Sequence, residues 1–257
     1  MNPTSILAAT LLASGLAAQS AADTLTIGTE GAYPPFNYIE SDGTIAGFDV
    51  DIAMELCARL EVECDIVAQD WDGIIPGLLA NKYDVIVASM FITEERKKQV
   101  DFTDPYYLAA MTHVTPKDSG ITEFTNDALS GMIIGAQSGT TQADYAEATY
   151  PDADIRLYPT QDEVNLDMAS GRIDLQVGDM LPMLEWTTKS EDGACCELAG
   201  EPITDPAFVG EGVGMAVRQE DDDLREKLNQ ALADMRADGT YLEINNKYFD
   251  IDVYTMK

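Results

Sequence analysis

The chain has one histidine, His113, in 257 residues, and only 15 lysines and arginines against 46 aspartates and glutamates. A single histidine leaves no His-rich zinc site and no histidine pair for acid–base work, so we expect neither a metal nor a cofactor. His113 itself reads as an ordinary side chain near a boundary between two halves of the chain. The shortage of cations leaves a formal net charge of -31, which excludes nucleic acid as a partner, because phosphate binding needs a basic surface. The same charge repels anionic membranes, favours solubility, and attracts a cationic ligand over distance. Beyond residue 22 no apolar run is long enough to cross a bilayer. There is no P-loop, no Gly-x-Ser-x-Gly, no His-Glu-x-x-His, no internal repeat and no coiled-coil pattern. The run Gly210-Glu-Gly212-Val-Gly214 is a fragment of a dinucleotide motif in the wrong context and reads as a turn.

Residues 1–22 carry no charge and are rich in Ala and Leu, with an apolar stretch from Ile6 to Ala18. Ser20-Ala21-Ala22 places small residues where a signal peptidase reads, so we expect an export signal cleaved after Ala22. No Lys or Arg precedes the apolar run, which leaves a short membrane anchor as the alternative. Four cysteines in an exported chain suggest disulfides. Cys57 and Cys64 end a helical pattern and enter a strand. Cys195 and Cys196 are adjacent, and either bridge each other or stay as thiols.

From Leu25 onward short strands alternate with amphipathic helices. Leu25–Gly28, Cys64–Gln69 and Asp84–Ala88 read as strands. Gly47–Leu60 is a helix that places Phe48, Ile52, Leu56 and Leu60 on one face, and Gly73–Ala80 is a shorter one. The rhythm breaks at Asp104–Met111 and resumes after Thr125. Met132–Ala136 and Ile173–Val177 are then strands, and Asp162–Ser170 and Met180–Trp186 helices. A loop with Gly193, Gly200 and Pro202 follows, then a strand at Gly214–Arg218 and helices at Asp223–Asp238 and Tyr241–Phe249. This alternation predicts two similar α/β halves with parallel sheets.

The stretch Tyr83–Tyr107 carries the sharpest functional signal. Thr93 is a good helix N-cap, followed by Glu94 and Glu95 where the helix dipole favours acids. Arg96 then stands at the helix start, where a cation opposes the dipole. Helix stability does not explain it; a carboxylate held beside free amides does. The competing explanation is a surface ion pair with Glu95 or Asp101. Four segments share the form strand end, small or aromatic residues, helix start: Gly28–Phe36, Gln69–Gly73, Ala88–Arg96 and Gln137–Gln142. Ligands bind outside the carboxyl ends of parallel strands, so the four can line one cleft.

The runs GTEGAYPPF, GFDVDIAMELC, WDGIIPGLLANKYDVIVASM, ITEERKKQVDFTDPYY, QSGTTQADY, DEVNLDMASGRIDLQVGD, GVGMAVR and DGTYLEINNKYFDIDVY carry a family resemblance. The chain resembles the polar amino acid-binding proteins of ABC importers, above all the lysine/arginine/ornithine-, histidine- and octopine/nopaline-type binders. The runs span nearly all of the chain after residue 22, in the family's order. The resemblance implies an α/β, two-lobed periplasmic binding fold, each lobe a mainly parallel sheet with flanking helices. Lobe 1 would hold residues 23–110 and 208–257, lobe 2 residues 111–207, with a two-strand hinge. It also implies a periplasmic monomer that closes on a small amino acid ligand and delivers it to membrane permease subunits. The Cys57–Cys64 spacing resembles the disulfide of the cationic amino acid binders.

The same resemblance assigns roles. Arg96 would hold the ligand α-carboxylate, with amides and a hydroxyl from Thr140 and Thr141; helix capping is a second task open to those threonines. Asp179 would bind the α-ammonium, or instead cap the next helix. Ser89 and the Ala88 carbonyl would complete the ammonium and carboxylate shell. Tyr33 and Trp71 would sandwich the ligand side chain, unless they are core residues. Glu30 would meet a side-chain cation, since a buried acid without a partner is costly; a solvated loop acid is the alternative. Gln142 could reach a longer side chain. Phe91 departs from the family, where Ser is usual. It removes a hydroxyl from the carboxylate shell and opens the site to a modified or opine-like amino acid. Two other functions compete: binding of a polar neutral amino acid such as glutamine, and a dehydratase-like enzyme on the same scaffold with Glu30, Asp72 and Asp179 as acids or bases. The absence of a nucleophile–base pair argues against the enzyme.

Overall fold

The structure is a computed structural model and describes residues 23–256. The expected export signal lies outside these residues. Two five-stranded sheets organise the chain. The first runs Glu63–Ala68, Thr24–Thr29, Val85–Ile86, Ala216–Val217, Asp101–Phe102 in spatial order. The second runs Asp154–Tyr158, Ile133–Gln137, Leu175–Asp179, Met111–Pro116, Cys196–Ile203. The halves therefore repeat one topology, and the molecule has the expected two-lobed α/β architecture.

Each sheet is mainly parallel, as expected: four of its five strands run one way and one runs against them. Thr24–Thr29 pairs in parallel with both of its neighbours, whereas Ala216–Val217 pairs antiparallel with Val85–Ile86 and Asp101–Phe102. The second sheet does the same, with Met111–Pro116 antiparallel to Leu175–Asp179 and Cys196–Ile203. The antiparallel strands are those next to the points where the chain passes between sheets, and no helical crossover returns them to the parallel sense. Cys196–Ile203 corrects the expected loop around Gly193, Gly200 and Pro202. It is an edge strand, with its register shift between Ala199 and Ile203, where Gly200 and Pro202 interrupt the ladder.

Phe48–Leu60 forms as its periodicity predicts, burying Phe48, Ile52 and Leu56. It starts at Gly47, at φ +126°, where a Cβ would meet the Phe36 carbonyl oxygen at 2.2 Å. The last helices, Asp222–Asp238 and Thr240–Tyr248, pack on Phe48–Leu60, so the C-terminal segment returns to the first sheet. Segments 103–110 and 204–215 run between the sheets side by side. Tyr106 N donates to Val213 O at 2.9 Å, and Val213 N to Tyr107 O at 3.0 Å. Cys57–Cys64 and Cys195–Cys196 are both disulfide-bonded. His113 is buried, with Nε2 at 2.7 Å from the Tyr150 hydroxyl and its ring stacked on Phe124.

Candidate functional site

Every residue singled out for the cleft ends up around one pocket. Glu30, Tyr33, Trp71, Ala88, Ser89, Phe91 and Arg96 line it from the first lobe, and Thr140, Thr141, Gln142 and Asp179 from the second. The pocket holds about 360 Å³ of empty space, mouth included. Its walls are segments at the carboxyl ends of strands, as open α/β sheets require.

Arg96 sits in the first turn of Glu94–Lys97, whose N-cap Thr93 accepts from Arg96 N at 3.3 Å. Its side chain makes no ion pair among the described residues: Glu95 pairs with Lys98 instead. The guanidinium donates to the Phe91 carbonyl at 3.0 Å and lies 5.4 Å from the Trp71 ring centroid. Burial lowers its pKa to about 10, against the opposing pull of Asp144 and Asp179, so it stays charged at neutral pH. A cation without an acid partner facing a cleft is a site for an anion.

Asp179 ends the strand Leu175–Asp179 and precedes Met180–Lys189, yet its side chain makes no capping bond to that helix. Its carboxylate turns into the pocket. The Tyr33 hydroxyl donates to Oδ2 at 2.7 Å and Gln142 Nε2 donates to Oδ1. Burial pushes the Asp179 carboxyl up to about 6, while these two bonds and Arg96 pull it down.

Glu30 is 8% exposed, which rules out the solvated-loop alternative. Burial pushes its carboxyl up to about 7; a hydrogen bond from Gln137 opposes this, and Asp162, Asp70 and Asp72 add to it. The pocket thus carries a buried cation, Arg96, and a buried acid, Glu30, with further acids near the latter.

Ser89 is held in a left-handed conformation, φ 54°, by a buried network. Asp49, fully buried, accepts from Ser89 Oγ at 2.9 Å, Asn37 Nδ2 at 2.8 Å and the Tyr106 hydroxyl at 2.6 Å. Asn37 in turn accepts from Gly31 N at 2.8 Å, so one carboxylate anchors Ser89 and the residue after Glu30 together. The Thr140 hydroxyl caps Thr141–Thr149 through Ala143 N and donates to Gln137 O at 2.7 Å. Its hydroxyl is therefore committed to the local turn. Trp71 Nε1 donates to Gly139 O at 2.9 Å, across the cleft. Phe91 is 2% exposed and belongs to an apolar cluster that includes Tyr107 and Val213. What it brings to Arg96 is its carbonyl.

Two pocket residues escaped the sequence reading, Gln137 and Gln161. Gln137 had figured only as the boundary of a segment. A glutamine ending the apolar strand Ile133–Gln137, just before the Ser-Gly-Thr-Thr turn, was the available signal.

The family described as bacterial extracellular solute-binding proteins, family 3, matches residues 25–251. The chain belongs to this family. This solute-binding protein is 41% identical over 230 residues to the L-arginine-binding protein of Pseudomonas aeruginosa, covering 89% of this chain and 88% of that one. It is 40% identical over 232 residues to the histidine-binding periplasmic protein of Escherichia coli K12, covering 90% and 89%. Among solved structures, an ancestral arginine-binding protein bound to arginine superposes with a TM-score of 0.81 at 37% identity, covering 90% of this chain and 100% of that one. The solute-binding protein thus matches these relatives over nearly their full length.

Proposed function

We propose that this family 3 protein is the periplasmic binding component of an ABC importer for a cationic amino acid. The carrying observation is the set of charges on one pocket: Arg96 with no ion-pair partner among the described residues, Asp179 near enough to act on its charge, and Glu30 with Asp162, Asp70 and Asp72 around it. An amino acid with a cationic side chain has the matching set of charges: carboxylate, ammonium, distal cation. In this reading Arg96 pairs with the α-carboxylate in a fork geometry, with the amides of Thr140 and Thr141 beside it. Asp179, Ser89 and the Ala88 carbonyl receive the α-ammonium, Tyr33 and Trp71 flank the side chain, and Glu30 meets its cation.

The arginine- and histidine-binding relatives support this ligand class. The protein acts as a monomer, with lobes of residues 23–110 plus 208–257 and of 111–207, joined by the paired segments 103–110 and 204–215. It closes on the ligand, presents the closed surface to a permease, and releases the ligand chemically unchanged. A thermal-shift screen of arginine, lysine, ornithine, histidine, glutamine and opines tests the assignment. Ligand at a hundred times its Kd should add about 2.7 kcal/mol of stability. Stabilisation by glutamine but by no cationic compound would overturn it, and turnover of the bound compound seen by mass spectrometry would replace binding with catalysis.

A further inference from the structure

We propose that Gln137 makes this site select a guanidinium over an ammonium, by setting its amide oxygen as a second acceptor beside the Glu30 carboxylate across the cleft. The inference rests on the cationic amino acid reading above and narrows it to a planar, multi-donor head group.

The orientation of the Gln137 amide is fixed by its neighbours. Its Nε2 lies 2.6 Å from Glu30 Oε1 and 3.1 Å from the Pro159 carbonyl oxygen. Both neighbours are acceptors, so the nitrogen must face them. The amide oxygen then points elsewhere on the same planar group. Oε1 of Gln137 and Oε2 of Glu30 accept no hydrogen bond from the described residues, and neither is among the sealed, unpaired polar atoms. Two acceptors, one from each lobe and joined through the Nε2–Oε1 bond, are therefore unpaired among the described residues, on two side chains that line the same pocket.

The acids around Glu30 attract any cation, so charge alone does not choose among ligands. Shape does. An ammonium is a compact charge with rotatable donors, and a single carboxylate oxygen with nearby water satisfies it. A guanidinium has five donors fixed in one plane and needs acceptors spread along its edge. The Gln137 bond engages Oε1 of Glu30 and disfavours a symmetric fork onto that carboxylate alone. It offers in exchange a second acceptor beside Oε2. The fork is then received jointly by Glu30 and Gln137, and only when the lobes are together.

The test is calorimetric titration of L-arginine and L-lysine into the wild-type protein, Gln137→Leu and the nearly isosteric Gln137→Met. The ratio of the two affinities is the readout, since a merely structural loss weakens both ligands alike. We expect arginine to weaken at least about tenfold in both variants while lysine changes less than about threefold. Equal losses, or an unchanged ratio, overturn the role of Gln137. Should Gln137→Leu fail to fold, as judged by its melting curve, Gln137→Met carries the same comparison. If the wild-type protein binds neither amino acid, the cationic amino acid reading itself falls, a result distinct from a wild-type protein that binds both with a ratio insensitive to residue 137.

Discussion

The Tyr33 hydroxyl donates to Asp179 Oδ2 at 2.7 Å, although the residues stand 146 positions apart. This bond joins the lobes at the carboxylate proposed to hold the ligand ammonium. With Gln142 on the other oxygen, Asp179 is oriented by a group from each lobe. Burial of this carboxylate is costly, and the two hydrogen bonds offset part of that cost.

Tyr33→Phe removes the hydroxyl and leaves the ring. Asp179 Oδ2 then loses its partner, and the proposed ligand complex should weaken about 10- to 150-fold, the range for one hydrogen bond to a charged group. Titration calorimetry checks this; an unaltered affinity would remove Tyr33 from the ammonium shell.

Arg96→Ala should abolish measurable binding of any α-carboxylate ligand, while Arg96→Lys keeps the charge, loses the fork and binds at least about tenfold more weakly. The ligand-free melting temperature should move little in Arg96→Lys, because the wild-type side chain makes no ion pair among the described residues. Retained affinity in Arg96→Ala would end the carboxylate assignment.

Glu30 should make binding depend on pH. Its carboxyl is raised to about 7 by burial, and a cation binds its ionised form. Affinity for lysine or arginine should therefore fall as pH drops below 7, by up to about tenfold per unit, and level off above it. In the ligand-free protein the sign for stability is opposite. A carboxyl with a raised folded pKa contributes stability at low pH that is lost as pH rises through about 7. Glu30→Gln should thus flatten the affinity profile, weaken cationic ligands far more than glutamine, and raise the ligand-free melting temperature at pH 8 by about 2 °C or more. Equal loss of all ligands would sink the side-chain role of Glu30.

His113 is buried and neutral, with a pKa lowered by burial to about 4. The unfolded chain takes up its proton below about 6.5 and the folded one only below about 4, so stability falls as pH drops between those values, by up to about 1.4 kcal/mol per unit. His113→Gln keeps a polar group and removes the titration. Its melting temperature relative to wild type should rise between pH 6.5 and 4.5; a constant difference would mean that His113 does not titrate in this window. Glu30, Asp49 and Asp179 carry raised pKa values of opposite sign, and they cancel in this comparison.

Much of the molecule was legible because its signals are local. The apolar face of Phe48–Leu60 repeats within four residues, and Thr93 and Thr140 cap helices through amides three positions on. Arg96 was conspicuous for the same reason, since its misfit with the helix dipole can be seen within one turn. The edge strand Cys196–Ile203 was hidden. Its Gly, Pro and exposed acids resemble a loop, and only the neighbouring strand Met111–Pro116 makes it a strand.

The two α/β halves, the family and all the pocket residues but Gln137 and Gln161 can be read from the chain, because periodicity, capping and motif order are carried by neighbouring residues. The tertiary structure alone decided how those side chains share their partners. It set Gln137 on Glu30 across 107 positions, Tyr33 on Asp179, and Phe91 in an apolar cluster with only its carbonyl toward Arg96. Hydrogen bonds are settled within a few tenths of an ångström, and such distances between remote segments exist only once both sheets are folded and the lobes have met.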